Sequence, residues 1–407
     1  MKLRGRISSI LPIAMVAFAV ALNTVSAGAA EDTILRFNGR DGERTQSGLI
    51  SDGKGNLYGT TPEGGNNGCQ DGCGVVFELS PAANGAWTET VIYAFKGGTT
   101  DTSVPTTDLI FDAQGNLFGG SNGAPAIYEL TPGAGNTWSE KVVYSFTQYY
   151  QPGNHLAFDS KGNLYGTLFE GGDGGVFQLI PQSSGSWTGG VIYAFTGTNG
   201  DGNRPFGGVG LDGEGDVYGT TQEGGSSNEG TVYKLTPKGS GFTESIIYNF
   251  TGYPAGTGSY PIAPLMIDAS GNLYGATPSG STQGTAMVFK LSESAGKWTE
   301  TVLYIFGSSP DGAYPNGVVF DAKGNLYGTA NGGGSGCNYP GCGIVYKLTP
   351  SGSGPWRETI LHNFESWIDG SGPGASVYVD GSTGVLYSTT IVGGGRYGYG
   401  TVFQIVP

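Results

Sequence analysis

Six residues recur seven times along this chain of 407. GNLYGT at 55 returns as GNLFGG at 115, GNLYGT at 162, GDVYGT at 215, GNLYGA at 271, GNLYGT at 324 and, more loosely, GVLYST at 384. The aromatic residues of the copies, Tyr58, Phe118, Tyr165, Tyr218, Tyr274, Tyr327 and Tyr387, are spaced by 60, 47, 53, 56, 53 and 60 residues. A period of about 50 restricts the chain to a propeller or a solenoid, because each unit is one supersecondary element that buries its apolar surface only against its neighbours.

Four strand-like runs follow one another within a period. The first is short and ends in Asp, as in GLISD (48–52). After a tight turn comes NLYGTT. A Gly-rich loop then leads to GVVFELSP (74–81), and a Gly/Ser turn with a Trp leads to TVIYAF (90–95). Runs of Val, Ile, Tyr and Phe bounded by Gly, Pro and Asp read as strands. Consecutive apolar positions suit strands covered on both faces. The turn aspartates Asp52, Asp112, Asp159, Asp212, Asp268, Asp321 and Asp380 precede the seven copies. An Asp bonds backbone amides two residues on, and Gly supplies the positive φ of such a turn, so these aspartates are read as structural.

The third and fourth runs each occur seven times, out of step. The first fourth-type run, TILRF (33–37), precedes the first repeat, and the final unit stops after its third run, TVFQIVP (401–407). A solenoid cut this way has no use for the offset. In a closed ring the N-terminal strand completes the last sheet and leaves no edge at the seam. The expected fold is all-β: a seven-bladed β-propeller of four-stranded antiparallel blades, one domain over residues 31–407, closed by the N-terminal strand joining the C-terminal blade.

Gly is 77 of the 407 residues, yet the glycines fall at fixed places between aromatic and β-branched runs, which disordered chains lack. Residues 1–30 are different material. Lys2, Arg4 and Arg6 precede an apolar run from Ile10 to Leu22, and small residues follow around Ala27–Ala30. That is the pattern of a secretory signal peptide, its apolar run being short for a membrane anchor. Without it the chain carries 16 basic and 33 acidic residues. The acidic balance excludes the basic footprint of a nucleic-acid binder. A secreted, extracellular or periplasmic monomer with no transmembrane segment in the mature chain is expected.

Four cysteines form two local pairs, Cys69 with Cys73 in GCQDGCG and Cys337 with Cys342 in GCNYPGCG. An even count in an exported chain favours disulfides. Zinc would need all four to converge, and the pairs lie in non-adjacent repeats.

The unit D-x-x-G-N-L-Y-G-T-T…G-G…G-T-V-F-x-L-T-P…T-V-L-Y-x-F resembles the GloVer-type tandem repeat of bacterial exported proteins, over residues 33–407. The resemblance implies a propeller-like arrangement. Many members carry a C-terminal surface-anchoring signal; its lack here implies a soluble exported protein. The strand order also resembles, more loosely, that of kelch repeats.

Two kinds of connection differ in what they hold. The turns from first to second and third to fourth strands are nearly uniform. The crossings between blades and the second-to-third loops vary, and variable loops on a rigid scaffold carry function. That face holds Tyr149, Tyr150, Tyr253, Tyr260, Tyr314, Tyr339, Trp367, Tyr397 and Tyr399, with Asp201, Arg204, Asp311, Asp369, Arg396 and His155 among them. Flat rings beside planar polar groups suit a glycan, and a glycan or an extracellular protein is the expected partner. Trp367, Asp369, Arg396 and Tyr397 are expected to serve one region. His155, at the end of a crossing, is the candidate general base for the alternative, a polysaccharide lyase or glycosidase; His362, inside TILHNF, reads as packing. A passive scaffold is the third reading. No cofactor is expected, apart from a calcium option in which the crossing aspartates Asp41, Asp201, Asp311 and Asp369 form a carboxylate ring.

Overall fold

A computed structural model describes residues 30–65, 68–98, 101–147, 149–252, 257–279, 286–307, 310–337, 341–352 and 354–407. Residues 1–29 of the 1–30 segment read as a signal peptide, and Tyr253 and Tyr339, lie outside the described residues.

Blade 1 shows the pattern. Ile50–Ser51, Leu57–Thr61, Val75–Pro81 and Trp87–Ala94 pair in that order, antiparallel throughout. The same order repeats around the ring to blade 7. Blade 4 adds a two-stranded ribbon, Gly202–Asn203 with Glu223–Gly224. In blade 7 the first strand is in two pieces, Ser371–Pro373 and Tyr378–Val379, both paired with Leu386–Val392. Thr401–Val406 follows, and Ala30–Arg36 from the other end of the chain takes the outer place. The ring is therefore closed as its strand count requires. A register shift recurs between third and outer strands in all seven blades, at Val76/Phe77 in the first and at Thr33/Leu35 at the seam. The N-terminal strand is thus equivalent in register to the other six outer strands.

The packing explains the recurrent hexapeptide. Its strand is buried along its whole length, in blade 1 at Leu57–Thr61. Asp52 Oδ1 accepts from the amides of Lys54 at 2.8 Å and Asn56 at 3.2 Å, and Asn56 Nδ2 donates to Asp52 Oδ2 at 2.9 Å. The Asn is therefore the side-chain partner of the turn Asp. Gly55 has φ +103°, the left-handed region the turn needs. Gly59 is required for space: a Cβ there would lie 2.6 Å from Phe77 Cζ and 2.9 Å from Leu49 Cδ2.

The aromatic of the hexapeptide joins blade to blade. The Tyr58 ring meets Phe111 at 5.2 Å and Trp138 at 6.4 Å, both from blade 2, and Phe118 meets Phe158 and Trp187 of blade 3. Trp87 against Tyr387, at 5.7 Å, closes the circle between blades 1 and 7. Such edge-to-face pairs add about 0.5–1.5 kcal/mol each beyond their burial. Both local disulfides, Cys69–Cys73 and Cys337–Cys342, are present. Among the described residues no helix is long and apolar enough to cross a membrane.

Candidate functional site

Every blade places an aliphatic residue at the start of its innermost strand: Leu49, Leu109, Leu156, Val209, Leu265, Val318 and Val377, all buried. The residue just before it faces the propeller axis. These seven are Gly48, Asp108, His155, Gly208, Pro264, Gly317 and Ser376. They touch around the circle. A Cβ on Gly48 would lie 3.2 Å from Asp108 Oδ1; one on Gly208 would strike His155 Cβ at 2.5 Å; one on Gly317 would strike Ser376 Oγ at 2.5 Å. Glycines thus clear space beside the two large polar members. His155 Nδ1 lies 3.1 Å from Asp108 Oδ2, and the Gly48 amide donates to Asp108 Oδ1 at 2.5 Å. The His155 side chain is 42% exposed, so the ring stays open to a ligand while one nitrogen is held.

This ring borders a cavity of about 250 Å³ at the mouth of the central channel, on the face of the variable crossings. All seven blades line it. Gln46, Asn154 and Asn316 supply amides, while Phe206, Ile262 and Tyr314 supply apolar surface. Of the residues expected to bind ligand, Tyr314 lines this cavity and His155 stands beside it. Asp108 escaped the sequence reading. Aligning the seven columns ahead of the inner-strand aliphatic would have singled it out, since only blades 2 and 3 carry a titratable group there.

Arg204, Tyr260 and Tyr314 share one architectural position with Arg44 and Val104. All have φ between 57° and 59°, and in four of the five the amide donates to the second-to-third loop of the preceding blade, as Arg204 to Asp173 O at 2.9 Å and Tyr260 to Glu229 O at 2.9 Å. Arg204 also lies 3.9 Å from Glu223. The strained backbone is therefore part of the repeat, and the side chains of Tyr260 and Tyr314 project into solvent. Tyr149 is exposed above a shallow depression with Glu170, whereas Tyr150 packs on Gly171 and the core beneath.

Trp367 is 73% exposed and lies on the rim of the seam, apart from the channel mouth. Arg36 Nη2 donates to the neighbouring Ile368 O at 3.0 Å. Tyr397 and Tyr399 stack at 5.9 Å with their planes 3° apart, and the Arg396 guanidinium stands 5.8 Å over Tyr397.

The crossing aspartates do not converge. Each caps its own crossing: Asp41 accepts from the Asn38 amide, Asp101 from Lys96, Asp201 from Thr196, Asp311 from Gly307 and Asp369 from Glu365. Each also meets a group of the preceding outer strand or of the next one. Tyr93 donates to Asp101, Tyr193 to Asp201 and Tyr304 to Asp311. Beside them stand Glu89, Glu140, Glu244 and Glu358, one on each following blade, with burial and the crossing aspartate raising their carboxyls. Among the described residues the one group of three metal-type donors is Glu31, His362 and Asp369, at the seam. A cation held by four crossing aspartates has no geometric basis, because each belongs to a different blade junction. His362 packs edge-on against Phe364 at 4.8 Å, the packing role expected of it, and its Nε2 lies 2.7 Å from Asp369 Oδ2.

Known proteins bear on this architecture. No curated protein matches the sequence. Among solved structures, a catalytically inactive histidine-to-alanine variant of virginiamycin B lyase from Staphylococcus aureus, determined with quinupristin, is similar in fold. It is 14% identical, covers 93% of this chain and 99% of its own, and has a TM-score of 0.55. A protein from Lactobacillus plantarum, 15% identical, covers 81% of this chain and 88% of its own with a TM-score of 0.54. At these identities the likeness is one of fold. The Gloeobacter/Verrucomicrobia repeat model matches residues 118–339 and 212–407, more than half of the chain. The chain belongs to the Gloeobacter/Verrucomicrobia repeat family.

Proposed function

We propose that this is an exported propeller that takes the end of a carbohydrate chain into the mouth of its central channel and carries out proton transfer on it. One observation carries the reading. Of the seven axis-facing positions, five hold Gly, Pro or Ser, and the two that do not are adjacent and bonded, Asp108 to His155 at 3.1 Å. Small residues fill the other five positions, so the ring does not demand an imidazole there, and Asp108, which also holds the Gly48 amide of blade 1, orients it. An Nδ1–H donated to Asp108 leaves His155 Nε2 to accept a proton, the arrangement of a general base oriented by a carboxylate.

The cavity supports the ligand class. Amides beside apolar surface match a sugar, whose faces are apolar and whose rim is hydroxyl. At about 250 Å³ it lies below the roughly 300 Å³ at which drug-sized sites begin, so it fits a chain end rather than a run of polymer. The virginiamycin B lyase, inactive as a histidine-to-alanine variant, supports the reading as a similarly folded propeller whose activity depends on a histidine. Two local disulfides support export to an oxidising compartment.

A second reading rests on the stacked Tyr397–Tyr399 pair and exposed Trp367: a binding module that holds glycan on the seam rim without turnover. A panel of polysaccharides and oligosaccharides, read by released reducing ends and by the ultraviolet absorbance of unsaturated sugars, separates the two. Wild-type release that is abolished in His155→Ala and reduced in Asp108→Asn, with melting unchanged, is the expected result. Glycan-array binding with no product from the wild type would overturn proton transfer and leave the binding module.

A further inference from the structure

Outer strands carry a Glu at one fixed register position, opposite Leu79, Leu130, Leu235, Leu291 and Leu348 in blades 1, 2, 4, 5 and 6; Glu31 occupies it at the seam, opposite Ile405. A second fixed position holds Tyr144 and Tyr248 in blades 2 and 4 and Leu35 at the seam; in blades 1, 3, 5 and 6, opposite Val76, Val176, Val288 and Val345, it holds Tyr93, Tyr193, Tyr304 and His362. The crossing that follows supplies Asp101, Asp201, Asp311 and Asp369 respectively. The junction between blades 6 and 7, beside the seam, therefore replaces by an imidazole the phenol that meets the crossing aspartate after blades 1, 3 and 5.

That replacement changes the chemistry of the group. A tyrosine hydroxyl donates one hydrogen bond and keeps its proton at neutral pH. A neutral imidazole is a nitrogen ligand for divalent transition metals. Glu31, His362 and Asp369 each offer a donor atom, and the three atoms lie within 4.8 Å of one another. The support around them is that of an oriented site. Asp369 is 5% exposed, and its Oδ1 accepts from the Glu365 amide at 2.8 Å, which turns Oδ2 toward His362. Thr33 Oγ1 donates to Glu31 Oε1 at 3.1 Å. Such outer contacts fix the direction of ligating groups.

We infer that Glu31, His362 and Asp369 form a divalent transition-metal site, of zinc type, that clasps the N-terminal strand to blade 6. One nitrogen and two carboxylates suit zinc, whose bonds to such donors are about 2.0–2.2 Å long; calcium takes six to eight oxygens and has no use for the imidazole. The metal takes the place of the hydrogen between His362 Nε2 and Asp369 Oδ2, and the ring, still neutral, carries its one proton on Nδ1. Solvent supplies the remaining coordination position. Because Glu31 comes from one end of the chain and His362 and Asp369 from near the other, binding energy at this site adds directly to ring closure.

Tag-free protein stripped with chelator and titrated with Zn²⁺, by calorimetry and by melting, tests the clasp. One equivalent is expected to bind and the melting temperature to rise with zinc. His362→Tyr restores the residue of the other junctions, so it is expected to fold and to bind zinc about 100-fold more weakly or not at all, with no thermal response. His155→Ala, which removes the only other histidine, is expected to keep the response. No stoichiometric binding, or an equal response in wild type and His362→Tyr, would overturn the clasp. A response lost in His155→Ala and kept in His362→Tyr would move the metal to the channel mouth and equally overturn it.

Discussion

Asp311 and Glu358 share one hydroxyl across the junction of blades 5 and 6: Tyr304 Oη lies 3.1 Å from Asp311 Oδ2 and 3.1 Å from Glu358 Oε2. A phenol has one proton to donate, so two ionised carboxylates there cannot both be satisfied. Burial, and then the charge of Asp311, push Glu358 up to about 8, and it carries the missing proton at neutral pH. Related junctions repeat this. Burial and the neighbouring Asp41 push Glu89 up to about 8, burial and Asp101 push Glu140 to about 7, and burial and Asp201 push Glu244 to about 7.

Stability should therefore fall as the pH rises from about 5 to about 8. A Glu raised above its ordinary 4.5 binds its proton more tightly when folded. Its contribution is fully present below 4.5 and is lost as the pH climbs through 7 to 8. Asp268 and Asp321 act in the opposite sense. Burial raises them, but hydrogen bonds from Asn272, Asn325 and the turn amides outweigh it and hold both below 3.8, so their contribution is lost only in stronger acid. Melting temperature across this range is the measurement, with a maximum expected near pH 5. Glu358→Gln, neutral at every pH, should flatten the alkaline side. A melting temperature that climbs from pH 5 to pH 8 would refute the account.

Deleting Glu31–Phe37 should leave Thr401–Val406 as an unpaired edge and promote aggregation. The milder Phe37→Ala should cost about 3–5 kcal/mol, because Phe37 is buried and meets Phe77 at 5.3 Å. Denaturant unfolding and light scattering report both. A truncated chain that stays monomeric with wild-type melting would show that the ring closes without its N-terminal strand.

The disulfides span very short loops, so replacing Cys69 and Cys73 together by Ser should cost only about 2 kcal/mol. Peptide mapping of the unreduced protein should return Cys69–Cys73 and Cys337–Cys342 and no mixed pair.

Trp367→Ala should change stability by less than about 0.5 kcal/mol, since the indole is largely exposed. If the seam rim is the binding surface, the same change weakens glycan binding by about 1–3 kcal/mol. A large drop in melting temperature with binding intact would assign the ring to packing.

Much of this protein is legible in one dimension because its contacts are periodic and local. Asp52 and Asn56 meet within one turn, and Cys69 and Cys73 within one loop. The offset between third and fourth strand types requires Ala30–Arg36 to pair with Thr401–Val406, whatever the side chains do. Blade number, strand order and closure follow from the repeat alone, because a strand has few ways to satisfy its backbone groups and a ring leaves no edge unpaired.

The chemistry was settled between blades. Asp108 and His155 stand 47 residues apart in sequence and meet because the inner strands of blades 2 and 3 converge on the axis. The crossing aspartates stand out in the sequence as a set, and only the structure shows that each caps its own crossing and that Asp101, Asp201, Asp311 and Asp369 face a Tyr or His of the preceding blade. Glu31, His362 and Asp369 are brought together by closure of the ring itself. The sequence by itself determined the propeller, since backbone pairing and burial obey a period that can be counted. Which polar side chains face one another was decided only by the tertiary structure, because the angle between adjacent blades sets those distances and no periodicity records it.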